Sequence, residues 1–139
     1  MKRTFVDTGA WIAVAVARDN THEAAAAHAR HLADTKAPLL TTNYVLAETY
    51  TRIRYDDGHT KASIFDTLIR EMMRRRQLSI AWITASIHEE AVELFRRYAD
   101  QQFSMVDCAS FVVARRRDVR EVFGFDHHFA TMGFVLRPS

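Results

Sequence analysis

Five short apolar runs separated by stretches of helical character constrain this chain more than any other feature: RTFV at residues 3–6, LLT at 39–41, LSIAWI at 78–83, VFGF at 122–125 and FVL at 134–136. Strands that are mostly apolar along their length must be covered on both faces, and helical crossovers join strands in parallel. The pattern therefore predicts an α/β fold: a three-layer α/β/α sandwich around a central parallel sheet of about five strands. No repeat, linker or low-complexity tract interrupts it, so residues 1–139 read as one domain. With 48% apolar residues, a chain of 139 buries enough surface for a single core and needs no staples.

Between the strands, helices read at 10–18, 21–35, 43–54, 60–76, 84–99 and 104–117. Asn20 with Glu23 three residues on resembles a capping box for the second; Pro38 follows its end. Thr42, Thr84 and Ser104 stand where caps are needed, and Asp56-Asp57-Gly58 forms a turn that stops the third helix. Trp11 and Trp82 fit the apolar patterns of helix and strand and are expected in the core. The lone Cys108, among apolar neighbours, reads as a small filler in a reducing, cytoplasmic setting. Lys2 and Arg3 before AWIAVAVA imitate a secretory signal, but Asp7 breaks the imitation, and no segment approaches the roughly 18 apolar residues of a membrane span.

Asp7 is the residue that asks for an explanation. In open α/β sheets ligands bind beyond the carboxyl ends of the strands. Asp7 ends the first strand and Asp126 follows the fourth, so both are expected on one rim. Glu48, on the third helix, and Asp107, in the first turn of the helix capped by Ser104, could reach the same rim. Each has a structural explanation: Asp7 and Asp126 as turn formers, Glu48 paired with Arg52, Asp107 in a capping box with Ser104. Taken together they need more than that. Two carboxylates about 4 Å apart repel by about 4 kcal/mol at an effective dielectric of about 20. A hard divalent cation with oxygen ligands, Mg2+ or Mn2+, supplies the missing charge and can activate water for phosphodiester hydrolysis.

The segments that carry these acids are FVDTGAWIA (5–13), LAETYTRIR (46–54), FSMVDCASFVVARR (103–116) and VFGFDHHF (122–129). In order and spacing they resemble the four acidic motifs of PIN-domain nucleases, over nearly the whole chain, and among those the VapC-like toxin ribonucleases of type II toxin-antitoxin pairs. The resemblance implies that Asp7, Glu48, Asp107 and Asp126 bind Mg2+ or Mn2+ and position water to cut single-stranded RNA, with the Thr8 hydroxyl in support. It also implies an antitoxin partner that fills a groove near the site, and a homodimer. Residues 10–17 and 44–53, with Phe65, Leu68 and Met72, offer candidate partner surfaces.

Arg52 and Arg54 follow Glu48 on its helix and are the preferred residues for gripping RNA phosphates. The runs Arg74-Arg75-Arg76 and Arg115-Arg116-Arg117 read as helix C-terminal charge compensation. His127 and His128 read as exposed turn residues, with contact to a phosphate as the alternative for either, and His28 and His31 as solvated surface, because no acid or cysteine accompanies that pair at zinc-site spacing. Two other functions fit the same residues: a non-catalytic RNA-binding PIN module whose acids hold a structural ion, and a hydrolase of small phosphate esters.

Overall fold

Thr4-Phe5-Val6, a β-branched and aromatic triplet, forms β1 (Thr4–Val6) and is buried throughout. The computed structural model describes residues 2–139 and continues with α1 (Thr8–Ala15), α2 (His22–Asp34), β2 (Leu39–Thr42), α3 (Asn43–Asp57), α4 (His59–Arg74) and β3 (Leu78–Ala81). It closes with α5 (Ala85–Arg97), α6 (Met105–Arg116), β4 (Glu121–Phe123), α7 (His128–Thr131) and β5 (Val135–Arg137). The five strands make one sheet in the order β3-β2-β1-β4-β5, and every pairing is parallel.

This order determines where the site lies. Leaving β1, the chain builds outward to β2 and β3, then crosses back to lay β4 on the other side of β1. The carboxyl ends of β1 and β4 therefore flank the point at which the winding reverses, where α/β sheets open a crevice. Phe5 pairs in register with Leu40 on one side and Val122 on the other, and all three are fully buried. On one face Phe111 packs edge-on against Phe129 at 5.1 Å and stacks with Phe134 at 6.0 Å. Elsewhere in the core, Phe65 meets Trp11 at 5.8 Å and Tyr50 at 5.4 Å.

The caps at Thr42, Thr84 and Ser104 form as read, each side chain accepting a backbone N–H from the third residue on. The second cap does not. α2 begins at His22 without a side-chain cap, and Asp19, not Asn20, does the local work by accepting the Thr21 N–H at 2.9 Å. The third helix runs on to Asp57, ending only at Gly58, whose φ of +96° suits a residue without Cβ. β3 stops at Ala81 because its partner stops: Ala81 pairs with Thr42, after which β2 turns into α3. Trp82 is thereby left outside the sheet and 64% exposed, which corrects its expected place in the core. The segment 126–133 contains the one-turn helix α7, which forms because Phe129 buries completely.

Cys108 is a buried free thiol, as expected of a filler. Of the apolar residues offered as partner surface, Phe65, Ile53, Ala10 and Trp11 belong to the core, whereas Leu68 and Met72 reach the surface. Among the described residues no helix is long and apolar enough to cross a membrane.

One buried polar chain ties α1 to the sheet below the rim. Trp11 Nε1 donates to Thr41 Oγ1 at 3.3 Å, and Thr41 Oγ1 donates to the Val6 carbonyl at 3.0 Å. Replacing Thr41 with Val keeps the shape and orphans the indole N–H. Thr41→Val is expected to lower stability by about 1–3 kcal/mol, measured as a drop in the urea midpoint at unchanged m-value.

Candidate active site

Asp7 stands at the N-cap of α1, where an aspartate side chain ordinarily accepts a helix N–H. Here it accepts none in that role: the Asp7 carbonyl takes the Ala10 and Trp11 amides, and the carboxylate makes no cap hydrogen bond. The backbone is held on the other side by the Asp7 N–H, which donates to the Phe123 carbonyl of β4 at 3.0 Å. Gly124 lets β4 approach that closely, since a Cβ there would sit 3.2 Å from Asp7 Cβ. The carboxylate is thus 5% exposed and makes no cap hydrogen bond to the helix it begins. Beside it, Thr8 Oγ1 is buried without a hydrogen-bond partner among the described residues.

Asp107 is the third residue of α6 and one half of a reciprocal capping box. Its Oδ2 accepts the Ser104 N–H at 3.0 Å, and Ser104 Oγ accepts the Asp107 N–H at 3.0 Å. The structural explanation is therefore correct for Asp107, and it also fixes the carboxylate at 8% exposure. Asp126 likewise forms its turn, Oδ1 accepting the His128 N–H at 3.0 Å. Glu48, half-buried on α3, makes no ion pair with Arg52 among the described residues.

His128 overturns its expected role as an exposed turn residue. Its ring is 15% exposed, with Nδ1 3.3 Å from Asp107 Oδ2 and 3.2 Å from Asp126 Oδ1. It lies edge-on to Phe103 at 5.1 Å. The adjacent Phe129 explains the difference, because burying that ring against Phe5, Phe111 and Phe134 draws residue 128 inward. His127 stays outside, its side chain 83% exposed, although one ligand-capable atom from each of Asp126, His127 and His128 falls within 4.8 Å of the others. His28, expected in solvent, is half-buried against Phe123 at 4.9 Å, and burial holds its pKa down.

The electrostatics show the other three acids acting on Asp7, and Asp126 acting on Asp107. Burial pushes the Asp7 carboxyl up to about 7; the Thr8 backbone N–H opposes the rise, and the charges of Asp107, Asp126 and Glu48 each add to it. Asp107 is raised too, first by burial and then by Asp126, against the lowering pull of the Ser104 amide and of His128. Acids far apart in sequence thus lie near enough to Asp7 to bear on its charge, while the three ligand-capable side chains that fall within 4.8 Å of one another among the described residues are Asp126, His127 and His128. The donors around Asp7 are carboxylate oxygens and one orphaned hydroxyl, a set that suits a hard, oxygen-seeking divalent cation.

Arg52 and Arg54 are both exposed on α3. Arg52 lies one turn beyond Glu48 on the same helix face; Arg54 points elsewhere, its Nη1 3.3 Å from His59 Nδ1. Sequence reasoning missed His128 and Gly124. The signal for the first was the apolar Phe129 beside it, and for the second a glycine directly before the rim.

Residues 4–135 match the PIN domain family. In Mycobacterium tuberculosis, the protein named 23S rRNA-specific endonuclease VapC20 is 35% identical over 137 residues, covering 97% of this chain and 98% of the relative. The crystal structure of Mycobacterium tuberculosis VapC20, described as a sarcin-ricin loop cleaving toxin, superposes with a TM-score of 0.81 at 32% identity, covering 95% of this chain and 96% of that one. VapBC2 from Rickettsia felis, solved bound to a fragment of promoter DNA, shares the fold with a TM-score of 0.69 at 14% identity over 97% of both chains.

The raised Asp7 carboxyl carries a consequence for stability. Between the ordinary value of 3.8 and about 7 the native state keeps a proton that the unfolded chain has lost, so folding weakens as pH rises through that window. In chelator, the thermal midpoint is expected to fall between about pH 4.5 and pH 7.5, with each pKa unit worth about 1.4 kcal/mol. Asp7→Asn is expected to flatten that slope and raise the midpoint at neutral pH, measured by thermal unfolding of both proteins across the range.

Proposed function

The chain belongs to the PIN domain family of nucleases, and from that premise we propose that it is a Mg2+- or Mn2+-dependent endoribonuclease cutting single-stranded RNA, the toxin of a type II toxin-antitoxin pair. The observation that carries this reading is an acidic cup: Asp7 buried without a helix-capping role, with Glu48, Asp107 and Asp126 all pressing on its ionisation. The name of the Mycobacterium tuberculosis relative makes 23S rRNA the first substrate to test.

In this reading Asp7 and Asp107 hold the cation, Glu48 and Asp126 complete the set, and the unpartnered Thr8 hydroxyl supports it. The bound ion supplies Lewis acidity toward the phosphoryl oxygen and lowers the pKa of water near it. The chain's own part is geometric. β1 and the α6 cap hold two carboxylates on rigid elements, so no reorganisation is needed when charge develops. Asp126, the most exposed of the three aspartates, completes the set from its outer side. Arg52, one turn from Glu48, grips a neighbouring phosphate and offsets the repulsion between a polyanion and an acidic site, whereas Arg54, turned toward His59, is the lesser candidate for that grip.

The antitoxin partner has a place to sit. The candidate seat is an apolar groove of about 610 Å3 lined by Val6, Trp11, Leu32, Leu68 and Met72, and by Lys36, Pro38 and Gln77 ahead of β2 and β3. Homodimerisation and a cytoplasmic location complete the reading.

Asp7→Asn and Asp107→Asn are expected to lower cleavage of a generic single-stranded RNA on the order of 100-fold or more while the fold persists, assayed with Mn2+ or Mg2+ and checked by circular dichroism. RNA binding without cutting by the unmodified protein would favour the non-catalytic module. Turnover of a chromogenic phosphomonoester would favour the small-molecule hydrolase. Arg52→Ala is expected to raise KM and reduce the salt dependence of RNA binding by about one phosphate contact, read from the slope of log K against log salt.

A further inference from the structure

His128 lies outside the acidic quartet yet touches two of its members. Its backbone N–H donates to Asp126 Oδ1 at 3.0 Å, and its ring Nδ1 lies within reach of that same oxygen at 3.2 Å and of Asp107 Oδ2 at 3.3 Å. The other donor to Asp107, the Ser104 N–H, falls on Oδ2 as well. Every one of these contacts lands on a single oxygen of each acid, which leaves Asp107 Oδ1 and Asp126 Oδ2 to face a cation. Unpinned carboxylates turn readily about their last torsion, and two like charges in a buried cup push apart. One residue holding both opposes that motion.

The ring is itself well fixed. Phe103 packs on it edge-on at 5.1 Å, and the next residue, Phe129, is fully buried among Phe5, Phe111 and Phe134. His127 has no comparable support and is 83% exposed.

We propose that His128 is a positioning residue: its ring Nδ1–H holds Asp107 Oδ2 while its backbone N–H holds Asp126 Oδ1, so that one residue braces the two acids at a set separation and turns one oxygen of each toward the cation. The proposal rests on the metal-dependent reading above. It assigns His128 no contact with the ion or the RNA.

Three variants separate this role from packing. His128→Asn places an amide N–H near the position of Nδ1, His128→Gln places it one bond farther out, and His128→Leu fills the space with no donor. Mn2+ titration by calorimetry, kcat and KM on a single-stranded RNA at saturating Mn2+, and circular dichroism are measured for each. His128→Asn is expected to stay within about 3-fold of the unmodified protein in Mn2+ affinity, while His128→Gln and His128→Leu weaken it by about 10- to 100-fold, the usual cost of losing a partner that orients a ligand. The same two variants are expected to lower kcat with KM little changed. Unchanged Mn2+ affinity and kcat in folded His128→Gln would overturn the proposal. So would an Asn variant as weak as Gln, which would point to the ring as a ligand through Nε2. Should the unmodified folded protein take up no Mn2+, the metal-dependent reading fails first and this proposal with it.

Discussion

A buried carboxylate that does not cap its own helix is the constraint on which the rest of this structure depends. Asp7 sits where the chain turns from β1 into α1, and there the backbone carbonyl, not the side chain, satisfies the first turn. Keeping a carboxylate 5% exposed without a cationic partner costs free energy, which is expressed in a pKa raised to about 7. Around that cost the fold is arranged: β4 comes close enough to require Gly124, and the winding reversal between β1 and β4 opens the crevice into which Asp7 faces.

The other acids show that a structural role and a functional one need not compete. Asp107 closes a reciprocal capping box with Ser104 and Asp126 forms a short turn onto His128, so the ordinary explanation holds for both. Those same hydrogen bonds spend only one oxygen of each carboxylate and fix its direction. Local structure chemistry is here the means by which the cup is oriented, as expected of sites carried on rigid elements.

Much of the architecture was legible in the sequence because its signals are local. The five apolar runs became the five strands, and Thr42, Thr84 and Ser104 capped the helices that follow them. Two of the three misses depend on partners distant in the chain. β3 ends where its neighbour β2 ends, so Trp82 emerges into solvent, a fact of register that no apolar pattern contains. Asp19 displaced Asn20 through a hydrogen bond two residues on, a choice between adjacent side chains that composition does not decide. His128 was drawn inward by the burial of Phe129 against three other aromatic rings, each from a separate segment. Asp7 and Asp126 were legible because strand ends are readable, and Glu48 and Asp107 because their segments resemble the PIN motifs.

The central claim is that Asp7, Glu48, Asp107 and Asp126 form one site for one kind of ion. An anomalous difference map from crystals grown with Mn2+ tests it most directly. The account requires a peak bounded by oxygens of Asp7 and Asp107, with Glu48 and Asp126 within reach of the ion or its waters. A peak held instead by His127 at the surface, or a cup free of manganese at saturating concentration, would contradict it.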